Sequence, residues 1–264
     1  MTAPTASLTF IGTATTILRL GSFTLLTDPN FLHRGQRAYL GHGLWSPRLT
    51  EPAMGVADLP VLDAVVLSHL HGDHFDRVAR KGLDHALPII TTRHAARRLR
   101  SRGFPNAVAL ETWRTHELRK GDDVLRITSM PGRHARGALQ AALPPVMGSV
   151  VEFVPADAAP LTVYITGDTL LIEDLLEVPR RYPDLDLGLW HLGGTRILGM
   201  LVTMDATQGA DLLEAVRPRV TVPIHNDDYG VFHSPLQDFL DEVQRRGLSG
   251  VRPLARGESL SLGP

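Results

Sequence analysis

The chain has 264 residues, of which 43% are hydrophobic, and its 27 basic residues nearly balance its 28 acidic ones. This length and composition are typical of one large globular domain that forms a core without covalent crosslinks. The formal net charge of -1 provides no overall field to recruit nucleic acid or an anionic membrane. Because the chain has no cysteine, disulfides, thiolate ligands and a cysteine nucleophile are excluded, and any metal ion must be held by imidazole and carboxylate groups.

The chain shows no targeting or membrane-spanning segment by pattern. Its start, Met1 to Ser7, has neither the basic residues nor the long apolar run of a signal peptide. The longest apolar runs, such as Ile197 to Val202, are too short to cross a bilayer. We therefore expect a cytoplasmic protein without an integral membrane segment, and the sequence is silent on its oligomeric state.

Strands open the chain. Apolar residues recur over Leu8–Ile11, Thr15–Leu20 and Phe23–Thr27 in a way that predicts a meander. Residues 29–60 are rich in glycine and proline and follow no sustained period, so we predict a long loop that either lines a pocket or lies over the surface. The rest of the first half predicts a buried strand ending at Leu67, helices over Phe75–Lys81 and Arg93–Arg102, and strands over Leu87–Thr91, Ala107–Leu110, His116–Arg119 and Val124–Ser129.

The second half repeats this order of strands and helices. Its predicted strands cover Val150–Val154, Leu161–Ile165, Leu185–Trp190, Val220–Ile224 and Ser259–Leu262, and its predicted helices cover Leu170–Arg181, Asp205–Arg217 and Pro235–Arg246. The repetition predicts a single α/β (α+β) domain over residues 1–264, with two pseudo-symmetric halves at about 8–145 and 146–262. In such a domain two sheets pack face to face and the helices lie outside them.

The strongest chemical signal is an apolar strand that runs into a histidine-rich turn. Val65–Leu67 is followed within a few positions by His69, His71, Asp73 and His74. Side chains two apart on an extended segment point the same way, so His69 and His71 are placed to bind one ion. The turn that follows brings Asp73 and His74 into position for a second ion close by.

Three further apolar strands end in potential ligands, namely His134, Asp168 and His225. Strand ends that converge on one sheet edge hold ligands rigidly while the adjoining loops leave room for substrate. Seven ligands suit two ions with a shared open position for water. We expect one ion to be bound by His69, His71 and His134 and the other by Asp73, His74 and His225, with Asp168 bridging both.

These motifs resemble, in order, the ligand motifs of the metallo-beta-lactamase-fold hydrolases. The resemblance rests on the sequence HLHGDH, the isolated His134, the aspartate of Thr166-Gly167-Asp168-Thr169 and the histidine of Pro223-Ile224-His225. Within this family the chain is most similar to the branch that holds N-acyl-phosphatidylethanolamine phospholipase D and ascorbate-phosphate lactonase. The counterparts are Gly12-Thr13-Ala14-Thr15, Thr27-Asp28-Pro29-Asn30-Phe31, the loop through Pro47, and Gly257-Glu258-Ser259.

The resemblance extends from Leu8 to Leu262 and implies a four-layer αββα sandwich of two mixed β-sheets, with a dinuclear site at one edge. Asp28 resembles a position that supports ligand histidines from behind, although it could instead cap the turn before Pro29. Two segments look like pocket-lining positions: the loop containing His191 and Arg196, and the residues just past the ligand His225. The substrate-pocket candidates are His191, Arg196, Tyr229 and His233.

The chain also departs from the branch. Leu170-Leu171 replaces a glycine-aromatic pair, and His191 stands where proline is common, so the metal chemistry carries over but a specific substrate does not. The inserted domain of the fold's nucleases is absent, and we read the arginines of Arg93–Arg102 as a solvated helix face, so nucleic acid is not an expected partner. The remaining histidines, His33, His42, His85, His94 and His116, are predicted to be surface or packing residues.

Two divalent ions that share a water lower its pKa toward neutrality and provide hydroxide at pH 7. We predict a hydrolase in which this bridging hydroxide attacks an ester-like bond, a lactone, carboxylic ester or phosphodiester, in a small molecule. Asp73 is the predicted catalytic residue, which orients the hydroxide and passes a proton to the leaving group. Zinc is the first expectation, and manganese or iron also suit mixed nitrogen and oxygen ligands.

Two alternatives keep the metal site but change the class of protein: an iron-dependent redox enzyme on the same fold, and a non-catalytic metal-binding module. Four arginines are candidates for recognising a phosphate or carboxylate of the substrate, although each could equally be solvated. They are Arg34, Arg37, Arg48 and Arg196.

Overall fold

The computed structural model describes residues 6–137 and 139–262. The expectation that the chain has no signal peptide concerns residues 1–7, of which residues 1–5 lie outside this range. Within the described residues, no helix combines the length and the apolar character that crossing a membrane requires.

The structure consists of strands and helices, and those that were predicted occur in the predicted order. The strands are β1 (Ala6–Gly12), β2 (Thr15–Leu20), β3 (Phe23–Thr27), β4 (Arg37–Gly41), β5 (Leu44–Pro47), β6 (Ala64–Val66), β7 (Ile89–Thr92), β8 (Ala107–Leu110), β9 (Thr115–Lys120), β10 (Asp123–Met130), β11 (Gly148–Val154), β12 (Leu161–Ile165), β13 (Leu187–His191), β14 (Arg196–Ile197), β15 (Met200–Leu201), β16 (Val220–Ile224) and β17 (Ser259–Ser261). The helices are α1 (Arg77–Gly82), α2 (Arg93–Arg100), α3 (Leu139–Ala142), α4 (Glu177–Arg181), α5 (Ala206–Val216) and α6 (Leu236–Arg245).

Two mixed sheets form the centre of the molecule. The first has the order β17-β1-β2-β3-β6-β7-β8, and the second has the order β16-β13-β12-β11-β10-β9. Strands β3, β6, β7 and β8 pair in parallel, as do β12, β13 and β16, while the other pairings in these sheets are antiparallel. The predicted edge strand near the C-terminus is confirmed, since β17 pairs with β1 alone among the described residues.

Alternation along the strands divides the apolar side chains among three layers. Leu25 and Val163 belong to the cluster between the two sheets, with other residues of both sheets. The neighbouring Leu26 points the other way and packs with residues of α1 and α2, whereas Tyr164 packs with residues of α4, α5 and α6. This arrangement is the predicted αββα sandwich, because each sheet buries one face against the other sheet and one face against helices.

Two predicted segments differ from the structure. Leu170–Arg181 is helical only in its second part, as a 3-10 turn over Glu173–Leu176 followed by α4. Its start is extended because the backbone N–H groups of Leu170 and Leu171 donate to the Arg133 carbonyl and the Gln208 side chain instead of to a helix. The stretch 29–60, predicted as a loop without regular structure, contains the hairpin β4–β5 and a 3-10 turn at Val56–Asp58.

The helix predicted to start at Asp205 is confirmed. The Asp205 side chain accepts a hydrogen bond from the Gln208 backbone N–H at 3.1 Å, and α5 ends at Arg217 in the left-handed conformation. Asp76 caps α1 in the same way, accepting from the N–H groups of Val78 and Ala79 at 2.7 Å. Its second carboxylate oxygen accepts from the backbone of residues 31 and 32, so Asp76 ties the loop after β3 to the segment that contains HLHGDH.

Candidate metal centre

All seven predicted ligands meet at one edge of the sandwich, where four strands end. Six of them are buried, and His71 alone among the seven is partly exposed. The contributing strands are β6, β10, β12 and β16, which precede respectively the HLHGDH turn, His134, Asp168 and His225. The first two lie in different sheets, so the site joins both sheets at their common edge.

The first cluster consists of His69, His71 and His134. The Nε2 of His69 lies 2.8 Å from the Nδ1 of His71, which in turn lies 3.3 Å from the Nε2 of His134. The outer nitrogen of His134, Nδ1, lies 2.6 Å from the Val202 carbonyl, and that of His69 lies 3.0 Å from the Ser68 hydroxyl. A carbonyl accepts the ring proton of His134 and so leaves the inner nitrogen of this imidazole unprotonated.

The second cluster consists of Asp73, His74, Asp168 and His225. The Nε2 atoms of His74 and His225 are 3.1 Å apart, and the His225 Nε2 lies 3.4 Å from a carboxylate oxygen of Asp73. Asp168 places one oxygen 3.3 Å from the His74 Nε2. The Nδ1 of His225 donates to the Leu192 carbonyl at 3.0 Å, which again leaves Nε2 of this ring free to bind a cation.

These spacings fit divalent metal ions. Ligand atoms about 2.1 Å from a tetrahedral ion lie about 3.4 Å from one another, and the observed separations cluster around that value. Asp73 and Asp168 each also have a buried Oδ1 atom without a hydrogen-bond partner. A buried carboxylate oxygen that lacks a partner is costly, and a bound cation would satisfy both oxygens. The donor set, imidazole and carboxylate alone, therefore suits a metal in both clusters.

The electrostatics separate the two clusters. Burial lowers the pKa of His71 to about 3 and lowers the pKa of His69 and His134 as well, so these rings are neutral at pH 7, as metal ligation requires. In the second cluster burial opposes the charged forms, but the carboxylate of Asp168 raises the pKa of His74 and of His225. The first cluster therefore offers a cation three neutral imidazoles, whereas the second offers two imidazoles that lie between carboxylates. The two clusters are distinct environments for a cation.

Asp28 lies behind the second cluster, where its contacts fit the supporting role that the resemblance implies. One carboxylate oxygen accepts from the backbone N–H and the hydroxyl of Ser68 at 2.7 and 3.0 Å. The other lies 3.3 Å from both the Nδ1 of His74 and the Nε2 of His191. Although burial favours the protonated acid, His74 and His191 lower the pKa of Asp28 to about 2. The ionised carboxylate therefore holds the His74 ring with its Nε2 directed into the second cluster.

We expect Asp28→Asn to weaken metal binding by about 10- to 100-fold, because the amide has one uncharged acceptor oxygen in place of the two carboxylate oxygens that contact Ser68 and His74. The measurement is a competition titration of zinc against a fluorescent chelator. Asp63→Asn provides a control, since Asp63 accepts from the Thr24 backbone at the far end of β3. Equal zinc affinity in wild type and Asp28→Asn would contradict the supporting role.

Close backbone approach explains two glycines of the site. A Cβ at Gly72 would lie 2.7 Å from the backbone N and O of Tyr39, and the Gly72 N–H donates to that same carbonyl at 2.9 Å. Gly72 therefore allows β4 to pack on the HLHGDH turn. Gly167 has φ +64°, and a Cβ there would lie 2.5 Å from the Met147 carbonyl oxygen. This glycine lets the chain turn sharply before Asp168.

Two of the four residues predicted to line the substrate pocket are buried instead, so these predictions are wrong. His191 has no exposed surface, because it lies at the end of β13 with its ring between Asp28 and the Thr166 hydroxyl. Tyr229 is 1% exposed and donates its hydroxyl to the Asn30 side chain at 3.0 Å. Both side chains are therefore enclosed by the fold.

Arg196 and His233 are exposed but line a different cavity, of about 320 Å³, together with Asp205 and Asp238. None of the seven candidate ligands lines this cavity. Arg196 also lies 3.9 Å from the Asp205 carboxylate, so its charge is partly neutralised. The structure therefore does not bring these two residues to the metal centre.

A larger cleft, of about 950 Å³, opens at His71. Its lining includes Leu32, Tyr39 and Trp45 from the stretch 29–60, so that stretch is a pocket wall, one of the two alternatives left open by the sequence. The residues 140–145 form another part of the wall. The histidines predicted to be surface or packing residues join neither cluster, although His42 and His94 line this cleft.

The fold and this centre agree with the comparison to known families. Residues 24–226 match the model of the beta-lactamase superfamily domain, and the chain therefore belongs to that superfamily. It is 28% identical over 258 residues to a UPF0173 metal-dependent hydrolase of Deinococcus radiodurans, and the aligned region covers 96% of this chain and 97% of that protein. A UPF0173 metal-dependent hydrolase of Anaeromyxobacter sp. (strain K) is 30% identical over 228 residues, and the aligned region covers 83% of this chain and 77% of that protein. The chain thus belongs to the metal-dependent hydrolases of the superfamily.

A solved structure shows the same fold. The crystal structure of isothiocyanate hydrolase from Delia radicum gut bacteria superposes with a TM-score of 0.80 at 23% identity, covering 96% of this chain and 98% of that one. At this level of identity the likeness supports the four-layer sandwich and says nothing about the substrate.

Proposed function

We propose that this protein is a dinuclear metal-dependent hydrolase that cleaves an ester-like bond in a small molecule. In this proposal His69, His71 and His134 bind one ion, Asp73, His74 and His225 bind the other, and Asp168 bridges them. The observation that carries the proposal is the pair of adjoining clusters, in each of which the candidate ligand atoms lie within 4.8 Å of one another. The buried, unpartnered Oδ1 atoms of Asp73 and Asp168 support it further.

When bound, two divalent ions would supply Lewis acidity and a water with a pKa near neutrality. The chain's own residues then position the reactants and move the proton. Although burial opposes ionisation, His74 and His225 lower the pKa of Asp73, so this carboxylate is ionised at pH 7. Of its two oxygens, the one that does not bind the ion can accept a proton from the attacking water and deliver it to the leaving group.

The choice of an ester-like bond is supported by the resemblance of the motifs to the phospholipase and lactonase branch. Lactones, carboxylic esters and phosphodiesters all develop negative charge on an oxygen beside the attacked atom, which a cationic site stabilises. Zinc is the expected metal because the first cluster has three imidazoles, and the carboxylates of the second cluster also accommodate manganese or iron.

The test begins with metal analysis of protein purified without added metal, followed by reconstitution with zinc, manganese or iron. Each form is assayed on a lactone, a carboxylic ester, a phosphomonoester, a phosphodiester, a thioester, a beta-lactam and an isothiocyanate. We expect two ions per chain and activity confined to one ester-like bond. Fewer than one ion per chain, with no activation on reconstitution, would contradict the dinuclear proposal.

The same experiment separates the two alternatives. Bound iron with oxygen consumption and no hydrolysis would indicate the redox enzyme instead. Two bound ions without turnover of either kind would indicate a metal-binding module.

A further inference from the structure

The cleft that opens at His71 is strongly basic. Its aromatic wall is the hairpin β4–β5, where Tyr39 and Trp45 contact each other with ring centroids 4.9 Å apart and are about half exposed. Further lining comes from α1 and from α2 with the residues that follow it. Five arginines line the cleft: Arg37, Arg77, Arg80, Arg98 and Arg102.

These arginines have no acidic partners among residues 6–137 and 139–262. Arginines elsewhere do, as in the pairs Arg93–Glu111 and Arg246–Asp211, but none of the five lies within 4.0 Å of a described carboxylate. Asp76 is the single acidic residue in the lining, and both of its oxygens already accept backbone hydrogen bonds. The positive charge of the cleft is therefore not neutralised by the described part of the chain.

Like charges also lie close together here. Burial lowers the pKa of Arg102, and the neighbouring charges of Arg80 and Arg98 lower it further. Gathering cations without a counterion costs free energy, which a bound anion would offset. Because the formal net charge of the chain is only -1, this concentration of arginine is local and does not reflect a basic protein.

We propose that this cleft binds a phosphate group carried by the substrate, and that the Tyr39–Trp45 wall contacts the part of the substrate between that phosphate and the metal centre. This inference rests on the proposed function, because His71 lies where the cleft meets the centre. A phosphate has close to two negative charges and three acceptor oxygens, which match several guanidinium groups better than a single carboxylate would.

The closing experiment measures binding and requires no turnover. Phenylphosphonate, a dianion with a ring and a C–P bond that esterases do not cleave, is titrated calorimetrically into the zinc-reconstituted full chain. Benzamide is the neutral probe of similar size. We expect phenylphosphonate to bind and benzamide to bind at least tenfold more weakly, since hydrogen bonds to charged groups contribute substantially to affinity.

Arg98→Gln and Arg97→Gln form a matched pair, because both change the same charge at neighbouring positions of α2 and only Arg98 lines the cleft. We expect Arg98→Gln to weaken phenylphosphonate binding about tenfold and Arg97→Gln to leave it within twofold. If the phosphonate binds only to the metal ions, both variants should have the same affinity for it. That result would overturn the proposal. Absence of binding to wild type would also overturn it.

Two further measurements make the outcome specific. Asp168→Asn, which removes a proposed metal ligand, should still bind phenylphosphonate through the arginines, so a failure of the hydrolase proposal remains distinguishable from a failure of this one. A single-stranded oligonucleotide is titrated in the same way. If it binds more tightly than phenylphosphonate and Arg98→Gln weakens that binding, the cleft is a nucleic-acid site and the inference is overturned.

Discussion

Replacing Asp168 with alanine is expected to lower hydrolysis by about a thousandfold or more, because the proposed bridge between the two ions is lost. Asp168 is 3% exposed, and its oxygens lie 3.3 Å from the His74 Nε2 and 3.5 Å from the His225 Nδ1. Alanine removes a negative charge from between two imidazoles and cannot coordinate a cation. The measurements are steady-state turnover of the substrate identified in the panel and metal content per chain.

Thermal unfolding with and without zinc shows whether the variant keeps its fold. Zinc that binds only the folded chain raises the wild-type midpoint by mass action, and Asp168→Ala should retain a cooperative transition with a smaller zinc-dependent rise. Asp184→Ala is the matched control, since Asp184 is exposed and lies before β13, at the end of that strand away from the ligands. If the activity of Asp168→Ala lies within tenfold of that of the wild type, the proposal that Asp168 bridges the two ions is wrong.

The candidate ligands could be predicted because each signal is local. An apolar strand followed directly by histidine or aspartate is visible in a short window, and strand ends at one sheet edge lie close together whatever the details of packing. Asp28 also follows β3 directly, although its supporting role is implied by the resemblance to the family and not by this pattern. Most strands and the two sheets followed from the same alternation, with boundaries shifted by at most three residues, whereas the short strands β4, β5, β14 and β15 did not.

The substrate side could not be predicted, because it depends on contacts between distant segments. His191 and Tyr229 are polar residues near ligands, and only the folded chain shows that both side chains point into the core. The arginines of α2 looked like one solvated face, yet Arg98 lines a cleft and Arg97 does not. The difference arises from where α1 and β4 pack, and neither is adjacent to α2 in sequence.

Ser68 is a further residue without a clear sequence signal. Its hydroxyl and backbone N–H both donate to Asp28, and the hydroxyl oxygen also lies within 3.0 to 3.3 Å of the His69 and His74 rings. A small hydroxyl residue before HLHGDH is compatible with many roles. In the structure, the contacts of Ser68 with Asp28 and with the His69 and His74 rings connect the two clusters through shared hydrogen bonds.

Arg48, which the sequence offers as a candidate for substrate recognition, lies in the interior of the structure. The side chain is 1% exposed and donates to the carbonyls of Asn30 and Leu32 at 3.0 Å and to the Asn30 side chain at 2.7 Å. It also donates to Asp228 at 3.2 Å. Asp228 in turn accepts from the backbone N–H of Thr13 at 2.7 Å. The ion pair thus connects three loops that surround the ligand-bearing strands.

Arg48→Met is therefore expected to lower the free energy of unfolding by about 2–4 kcal/mol, because several buried acceptors lose their donor at once. Methionine fills much of the volume but frees the carbonyls of residues 30 and 32, and it leaves Asp228 with Arg256, at 3.2 Å, as its remaining cationic partner. Urea unfolding followed by circular dichroism provides the measurement. Arg37→Met, at an exposed position of β4, is the control and should change stability by less than about 0.5 kcal/mol.

The outcome also separates packing from recognition. If Arg48 bound substrate, Arg48→Met would raise KM and leave the unfolding free energy near that of wild type. A buried structural role predicts the reverse: a large loss of stability, with KM unchanged in the fraction that remains folded. Because Arg48 holds the loop that follows Asp28, part of that loss should appear as weaker zinc binding, in the same direction as Asp28→Asn and smaller in size.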